Sequence, residues 1–386
     1  MMPKSMKTLA IAPGELPYFP RPELLERVFK AFQAGQNVAL FAPRRQGKTW
    51  FVRFELLPAA RDAWGWRALY IDLWTQRDQP ELALLAGLEA ALAKPPRFVL
   101  RELSASGKAG PLAASATWVR ESDGAALSLE QRLRAALDEL VAAGPLLIAL
   151  DEFQTLAGAQ RESFVAALRS GLQAHAEYLR VFFTGSSRTG LNEMFRKYRA
   201  PLFEQAINLV MPSLSEDFLT DRIEVFRERT GRHLDTDAVR AVFEQVGFSP
   251  AHLNKLLVQL MIAGGTDIVG LHAEYAGDAF DDTFPAVWQQ LKPMDRALLQ
   301  LLALGHGGSG LYSLVERQRL ASLLSEASAP SPARVQTSQK RLEKLGLLSP
   351  IGEVGRYEIE DPAFACWLRT HTGRTERHSI EQGDQS

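Results

Sequence analysis

The stretch that decides the fold is Val38–Thr49, VALFAPRRQGKT, in which a short apolar run enters a turn and a helical pattern follows. A strand that leads through a tight loop into a helix surrounds an anion with backbone N–H groups. At this spacing Gly47 lets the backbone approach a phosphate, Lys48 supplies charge to the β- and γ-phosphates, and the Thr49 hydroxyl is a ligand for Mg²⁺. The stretch therefore predicts a phosphate-binding loop.

The loop departs from the pattern GxxxxGK[ST] at one position, because Ala42 stands where the first glycine is expected. Alanine narrows the allowed backbone region, so the prediction requires extended geometry at this strand end. The alternative is a chance Gly-Lys-Thr at a basic helix start, which the strand–loop–helix context disfavours. The residues predicted to hold the phosphates are Ala42, Pro43, Arg44, Arg45, Gln46, Gly47, Lys48 and Thr49.

A second motif, LLIALDE at Leu146–Glu152, is an apolar run that ends in two carboxylates. In a sheet that carries a phosphate loop, an aspartate at such a strand end holds Mg²⁺, and the next carboxylate polarises the attacking water. Asp151 is the predicted Mg²⁺ residue and Glu152 the predicted general base. The alternative is a solvated acidic pair at a strand end.

The first half of the chain alternates apolar runs with helical patterns, which predicts an α/β fold with a mostly parallel sheet and helices on both faces. From residue 212 onward the pattern is helical, and it ends in the order helix, helix, helix and two short strands. We predict a P-loop domain at 1–211 with an insertion or loop at 94–128, a helical lid at 212–283, a winged-helix domain at 284–374 and a disordered tail at 375–386.

Composition excludes several classes of protein. The 386 residues carry a net charge of −1 and a single cysteine, so neither an internal disulfide nor a cysteine-based zinc site is possible. Contact with nucleic acid requires a local basic patch, since the whole chain is nearly neutral. No run approaches 18 apolar residues, which predicts a cytoplasmic protein without membrane contact.

The basic patch predicted from the sequence is the helix within Ser331–Gly346, which carries four basic side chains and one acid. Amide and hydroxyl side chains at 336–339 are of a size that contacts base edges or phosphates. The predicted function of this helix is contact with double-stranded DNA. The alternative is that its domain is a protein-binding or autoinhibitory module. The candidate DNA-contacting residues are Arg334, Gln336, Lys340, Arg341 and Lys344.

The segments APRRQGKT, LLIALDEFQ, FFTGSS and PLFEQ…MPSLSEDF together resemble the prokaryotic P-loop ATPases of the STAND and archaeal-ATPase-like group, which are related to AAA+ and origin-recognition ATPases. The resemblance spans roughly residues 18–370. It implies binding of ATP with Mg²⁺, slow or partner-stimulated hydrolysis and nucleotide-dependent homo-oligomers. In that group an aromatic-x-Arg element lies near the adenine, and Phe19 and Arg21 match it here.

The resemblance also implies a polar residue at the end of the strand between the two motif strands, which positions the hydrolytic water. Thr184 is the predicted residue, Ser186 is the second choice, and an ordinary Gly/Ser turn is the alternative. Arg196, Arg199 and Arg188 are candidates for an arginine finger. The group's lid sensor has no clear match, and we predict that His252 is a surface residue at a helix start.

Three functions remain open at this point. The first is an ATP-hydrolysing molecular switch that couples nucleotide state to a winged helix, with Glu152, Lys48 and Thr184 in the reaction. The second is a DNA-binding regulator or adaptor in which nucleotide is structural. The third is the ATPase subunit of a mobile-element or defence system that works with a separate effector protein.

Overall fold

The computed structural model describes residues 16–92, 127–195, 200–278, 283–306, 310–350 and 356–369. Most of the predicted insertion at 94–128, the tail at 375–386, and the arginine-finger candidates Arg196 and Arg199 lie outside these residues.

A parallel sheet of five strands forms the core of the N-terminal unit, with the spatial order β2–β3–β4–β1–β5. Five apolar runs of the sequence predict strands, and the structure confirms each to within two residues at either end; the predicted strands are Val38–Phe41, Ala68–Leu73, Leu146–Leu150, Val181–Thr184 and Ala206–Val210. β4 pairs with two strands: β1, which leads into the phosphate loop, and β3, which ends in the acidic pair. The strands are β1 Asn37–Phe41, β2 Arg67–Asp72, β3 Leu146–Asp151, β4 Leu179–Gly185 and β5 Ala206–Val210.

Helices cover both faces of this sheet, as the alternating pattern predicts. Val38 and Leu40 of β1 face one hydrophobic cluster, and Ala39 and Phe41 face the other. This split follows from the two-residue repeat of a strand. The helices of the unit are α1 Pro22–Gln33, α2 Lys48–Phe51, α3 Leu57–Asp62, α4 Pro80–Leu92, α5 Leu129–Ala142, α6 Glu162–Ala174 and α7 Arg188–Phe195, with a π turn at Val52–Leu56 between α2 and α3.

A helical unit follows β5, and its own cluster of buried side chains includes Phe218, Phe226 and Leu257. Leu16 from the start of the described chain is buried in the same cluster, so the N-terminal segment packs on this unit. Its helices are α8 Glu216–Thr230, α9 Thr236–Gln245, α10 Pro250–Ala263 and α11 Ile268–Asp278. The next helix, α12 Thr283–Gln290, belongs to the C-terminal unit, because its Phe284 is buried in the hydrophobic cluster of that unit.

After α12, the C-terminal unit contains three helices and then an antiparallel pair of short strands, in the order that the sequence predicts. A further helical segment occupies residues 362–369. A fourth hydrophobic cluster, including Leu298, Val335 and Phe364, holds the unit together. The elements are α13 Pro293–Ala303, α14 Leu314–Leu324, α15 Pro332–Lys344, β6 Leu348–Pro350 and β7 Tyr357–Ile359.

Within the described ranges, no single helix is long and apolar enough to cross a membrane. Pro250–Ala263 and Ile268–Glu274 meet the length and composition test only together, and the chain bends by 106° between them.

Candidate nucleotide site

The phosphate loop occupies residues 42–47, between β1 and α2. Gly47 precedes the first residue of α2 and has φ +87°, a left-handed conformation that favours glycine. Ala42 is fully buried, is not among the residues with positive φ, and donates its N–H to the Gly185 carbonyl at 3.3 Å. The alanine therefore fits its position, because the backbone there does not need the freedom of glycine.

Lys48 lies at the start of α2 with only 5% of its surface exposed. Its Nζ donates to the carbonyls of Ala42 at 2.8 Å and Pro43 at 3.0 Å. Burial lowers the pKa of Lys48, and the nearby carboxylates of Glu152 and Asp151 oppose that shift. An ammonium group that is buried without an ion pair gains most from an anionic ligand.

Asp151, at the end of β3, is 3% exposed and accepts hydrogen bonds from four groups. Thr49 Oγ1 donates to Oδ2 at 2.7 Å, and the Glu152 N–H donates to Oδ1 at 3.0 Å. Thr184 is fully buried at the end of β4 and donates its hydroxyl to Oδ1. β4 lies between the two motif strands. From the end of β4, the Thr184 hydroxyl therefore holds the carboxylate of Asp151, the residue predicted to bind Mg²⁺.

Tyr70 is the fourth donor to Asp151, and the sequence analysis missed it. Its hydroxyl donates to Oδ2 at 2.8 Å, and the Arg53 guanidinium lies 4.8 Å from its ring centroid. Burial raises the pKa of Tyr70, and the Asp151 charge adds to the shift, so the phenol is a hydrogen-bond donor at neutral pH. The contact depends on the pairing of β2 with β3, which sets Asp72 opposite Asp151. No pattern in the sequence shows that these two strands are neighbours.

Two oxygen groups at this edge of the sheet are suitable ligands for a Mg²⁺ ion. The Thr49 hydroxyl and the Asp151 carboxylate are hard oxygen ligands that contact each other at 2.7 Å and line one cavity. No group of three or more His, Cys, Asp or Glu side chains arranged for a metal occurs in the described part of the chain. Proteins hold Mg²⁺ through one or two side chains while phosphates and water complete the shell, and Thr49 and Asp151 supply two such side chains.

Glu152 follows Asp151 and has φ +55°, a left-handed conformation for a residue that carries a Cβ. Its Oε2 accepts a hydrogen bond from Ser186 Oγ at 2.7 Å and another from Gln154 Nε2. Glu152 lines the same cavity as Lys48 and Thr49. The predicted base is therefore held beside the phosphate loop, with Ser186 close to it.

The cavity measures about 770 Å³ and runs from the phosphate loop to the helical unit. Phe19 and Arg21 both line it. Phe19 packs edge-to-face on Phe218 of α8, with ring centroids 5.4 Å apart. Arg21 is buried and donates to the Gln46 carbonyl at 3.0 Å and the Pro212 carbonyl at 2.5 Å, so it joins the loop to the chain that enters the helical unit.

His252 is buried at 3% exposure, so the prediction that it lies on the surface is wrong. The start of α10 packs against the phosphate loop, and His252 Nε2 is 3.4 Å from the Arg45 guanidinium. Its Nδ1 lies 2.8 Å from Ser249 Oγ. Burial, with the charges of Arg45 and Lys255, lowers the pKa of His252 to about 4, so the ring is neutral at pH 7.

Arg45 also reaches the C-terminal unit. Its guanidinium lies 3.9 Å from Asp361 Oδ2 and 5.5 Å from the ring centroid of Phe284. Nearby, a side chain at Gly247 would come within 2.7 Å of Pro362, which shows how closely the helical unit and the C-terminal unit approach. Burial raises the pKa of Asp361, although Arg45 and two backbone N–H groups oppose the shift.

The basic side chains of α15 fall into two groups. Arg334 is paired with Glu326 at 2.7 Å and Arg341 with the buried Asp295 at 2.5 Å, whereas Lys340 and Lys344 are exposed and have no ion pair with described residues.

Gln336 is exposed, but two other polar side chains of the same helix are not available to DNA. Ser338 donates to Asp295 and Gln339 accepts from Tyr312 at 2.9 Å, and both are buried. The expectation that they contact bases is wrong, because this face of α15 packs on the rest of the unit.

Solved structures of other proteins share the fold of this chain. No family model and no curated protein matches the chain. Among solved structures, a Walker-type ATPase of Pyrococcus abyssi is similar with a TM-score of 0.61 and 17% identity, over 91% of this chain and 96% of that one. The ORC2 protein of Aeropyrum pernix, in its ADPNP–ADP complexes, is similar with a TM-score of 0.55 and 16% identity, over 91% and 93%. The chain therefore has a P-loop NTPase fold with a helical C-terminal region, as predicted.

Proposed function

We propose that this protein is an ATP-hydrolysing molecular switch of the AAA+/STAND type, in which the nucleotide changes how the C-terminal unit docks. ATP occupies the cavity with its phosphates on residues 42–49, and Thr49 and Asp151 hold Mg²⁺. The fold shared with a Walker-type ATPase supports this assignment, as does the contact of Thr49 with Asp151.

The chemistry follows from the groups at the sheet edge. Glu152 accepts a proton from water as the water oxygen bonds to the γ-phosphorus, and the bond to the β–γ bridging oxygen breaks with its electrons going to ADP. Lys48 stabilises the charge that develops on the phosphate oxygens. Bound Mg²⁺ supplies further charge neutralisation at the β- and γ-phosphates. Thr184 and Tyr70 keep Asp151 in one orientation.

The observation that carries the switch is the set of contacts around Arg45. One side chain of the phosphate loop touches His252 of the helical unit and both Asp361 and Phe284 of the C-terminal unit. A phosphate group competes with Asp361 for the same guanidinium, since both are anions. ATP binding is therefore expected to weaken the contact with the C-terminal unit.

The released C-terminal unit acts, in this proposal, as a winged helix that binds double-stranded DNA or a separate effector protein. Lys340 and Lys344 are exposed basic side chains of α15, and Gln336 is exposed on the same helix. Nucleotide-dependent homo-oligomers and a cytoplasmic location, without membrane contact, are part of the same proposal.

The first experiment is ATP hydrolysis by the full chain, with and without double-stranded DNA, compared with Lys48→Ala and Glu152→Gln. Lys48→Ala is expected to lose nucleotide binding, and Glu152→Gln to bind ATP but lose turnover. Normal hydrolysis by Glu152→Gln would overturn the base assignment. Intact ATP binding without turnover in the wild-type protein would favour the regulator with structural nucleotide.

The coupling is tested by fluorescence energy transfer between a dye on α5 and a dye on α14, titrated with ATP or ADP. Transfer is expected to fall on addition of ATP, and Asp361→Asn is expected to lower it before nucleotide is added. Glu326→Gln is the matched control, because it neutralises a carboxylate of the same unit whose ion-pair partner, Arg334, belongs to that unit and not to the phosphate loop. An unchanged signal in Asp361→Asn would contradict the switch.

A further inference from the structure

Gln154 and Ser186 converge on one oxygen of Glu152. Ser186 Oγ donates to Glu152 Oε2 at 2.7 Å, and Gln154 Nε2 donates to the same atom. Gln154 Nε2 also lies 3.3 Å from Ser186 Oγ, so the three side chains form a closed triangle. Glu152 Oε1 has no hydrogen bond to any residue that the structure describes, and it is the oxygen left to accept a proton.

Gln154 is held in place by close packing. A Cβ added at Gly190, in the first turn of α7, would lie 2.6 Å from the Cβ of Gln154. Glycine in a helix is less stable than alanine. Its presence at 190 makes room for Gln154, and it links the position of this side chain to α7.

Glu152 fixes the orientation of the Gln154 amide, and this orientation leaves the amide oxygen without a hydrogen bond. Gln154 Oε1 is buried and has no hydrogen-bond partner among the described residues. Turning the amide over would set Oε1 against Glu152 Oε2, and two acceptors repel. A buried acceptor without a hydrogen-bond partner destabilises a protein. The presence of such a group in a fold therefore points to a functional reason for its orientation.

We propose that Gln154 and Ser186 are positioning residues that orient Glu152 for hydrolysis. This inference rests on the proposed function, in which Glu152 is the general base. A glutamate side chain has three rotatable bonds, and two donors on Oε2 restrict it to one rotamer with Oε1 available to water. The left-handed backbone of Glu152 fixes where that side chain begins.

The test measures kcat, KM and the Kd of ATP for Gln154→Met and Ser186→Ala in the full chain. Gln154→Met keeps the volume and removes the donor. Each variant is expected to lower kcat about tenfold while KM and Kd stay within about twofold, since orientation affects the reaction rather than binding. Ser186→Thr, which keeps the hydroxyl, is expected to recover most of kcat.

Gln160→Met is the matched control, because Gln160 is an exposed glutamine on the same segment. It is expected to have wild-type kcat. Thermal unfolding of every variant separates lost catalysis from lost structure. If Gln154→Met does not fold, Ser186→Ala with its threonine rescue decides the matter alone.

A double-mutant cycle separates positioning from a general structural role. In the Glu152→Gln background, Gln154→Met is expected to cause no further loss of residual turnover, because it acts through Glu152. A further tenfold loss in that background would overturn the inference, and so would a wild-type kcat for Gln154→Met. Normal turnover of Glu152→Gln itself would instead overturn the proposed base, so the two failures are distinguishable.

Discussion

Asp151 of the sheet edge and Asp295 of the C-terminal unit are both buried carboxylates that accept several hydrogen bonds, yet their partners differ in charge. Asp295 is 1% exposed and is paired with the Arg341 guanidinium at 2.5 Å and 2.7 Å. Asp151 is held by three hydroxyl groups and a backbone N–H, and it forms no ion pair with described residues. The Asp295 carboxylate is neutralised by an arginine of its own unit, whereas in the proposed function Mg²⁺ neutralises Asp151.

Asp151→Asn tests this difference where the effect is largest. We expect Mg²⁺-dependent hydrolysis to fall by about 10³-fold, because the ion contributes several kcal/mol to the reaction. Thermal stability without nucleotide is expected to stay the same or rise, because an unpaired buried charge is removed. Calorimetry of the same sample checks the second result, and a marked loss of stability would contradict the contrast.

Asp295→Asn is the matched change in the C-terminal unit. It is expected to destabilise that unit by about 1–3 kcal/mol, since Arg341, whose side chain is 31% exposed, loses its charged hydrogen-bond partner. Hydrogen exchange of α13 and α15 measures the loss. Exchange as slow as in the wild type would show that the ion pair is dispensable.

His252 is a third buried titratable group. Burial and the neighbouring charge of Arg45 keep its ring neutral. Its pKa is about 4 in the fold against an ordinary 6.5. Between these values the unfolded chain binds a proton that the folded chain does not, so stability falls as pH drops from 6.5 to 4 and levels off below. The full effect is about 3 kcal/mol.

The measurement is denaturant unfolding at pH 7, 5.5 and 4, for the wild type and His252→Gln. The variant is expected to lose less stability over this range, because the glutamine does not titrate. Parallel curves for the two proteins would show that His252 does not carry the dependence.

Tyr70→Phe sharpens the account of Asp151 by removing one of its hydroxyl donors. The expected loss is about 1 kcal/mol, or a few-fold to tenfold in Mg²⁺-dependent turnover, because one neutral hydrogen bond contributes about that much. A titration of turnover against Mg²⁺ concentration detects it. Wild-type turnover at limiting Mg²⁺ would exclude Tyr70 from positioning Asp151.

The smallest effects are expected on α15, where paired and unpaired charges lie on one helix. Replacing both Lys340 and Lys344 by alanine is expected to lower the slope of log affinity for DNA against log salt by about two. Replacing Arg334, already paired with Glu326, is expected to change it less. Fluorescence anisotropy at several salt concentrations compares them, and equal effects would contradict the assignment.

The sequence predicted the five strands, the phosphate loop and the acidic pair, because each is a local pattern of a few residues. Parallel strands end at a common edge of the sheet. The residues of the two motifs that line one cavity there are Arg44, Arg45, Gly47, Lys48, Thr49, Asp151 and Glu152. These parts of the site needed no knowledge of distant packing.

The remaining parts depend on contacts between residues far apart in the chain. Tyr70 meets Asp151 across 81 positions, and Arg341 meets Asp295 across 46. His252 was placed on the surface because nothing near it in the sequence shows that α10 packs on the phosphate loop. A charge or a ring in a helix cannot be assigned to solvent until its tertiary neighbours are known.

Arg45 lines the candidate nucleotide cavity and also contacts Asp361 of the C-terminal unit, and this position has a thermodynamic consequence. Two binding events that act on one equilibrium are reciprocal, so the factor by which one changes the affinity of the other is the same in both directions. If ATP loosens the contact of Asp361 with the loop, any molecule that captures the loosened unit tightens ATP binding by an equal factor. Such a molecule would act as a thermodynamic effector that sets the affinity of the site for nucleotide.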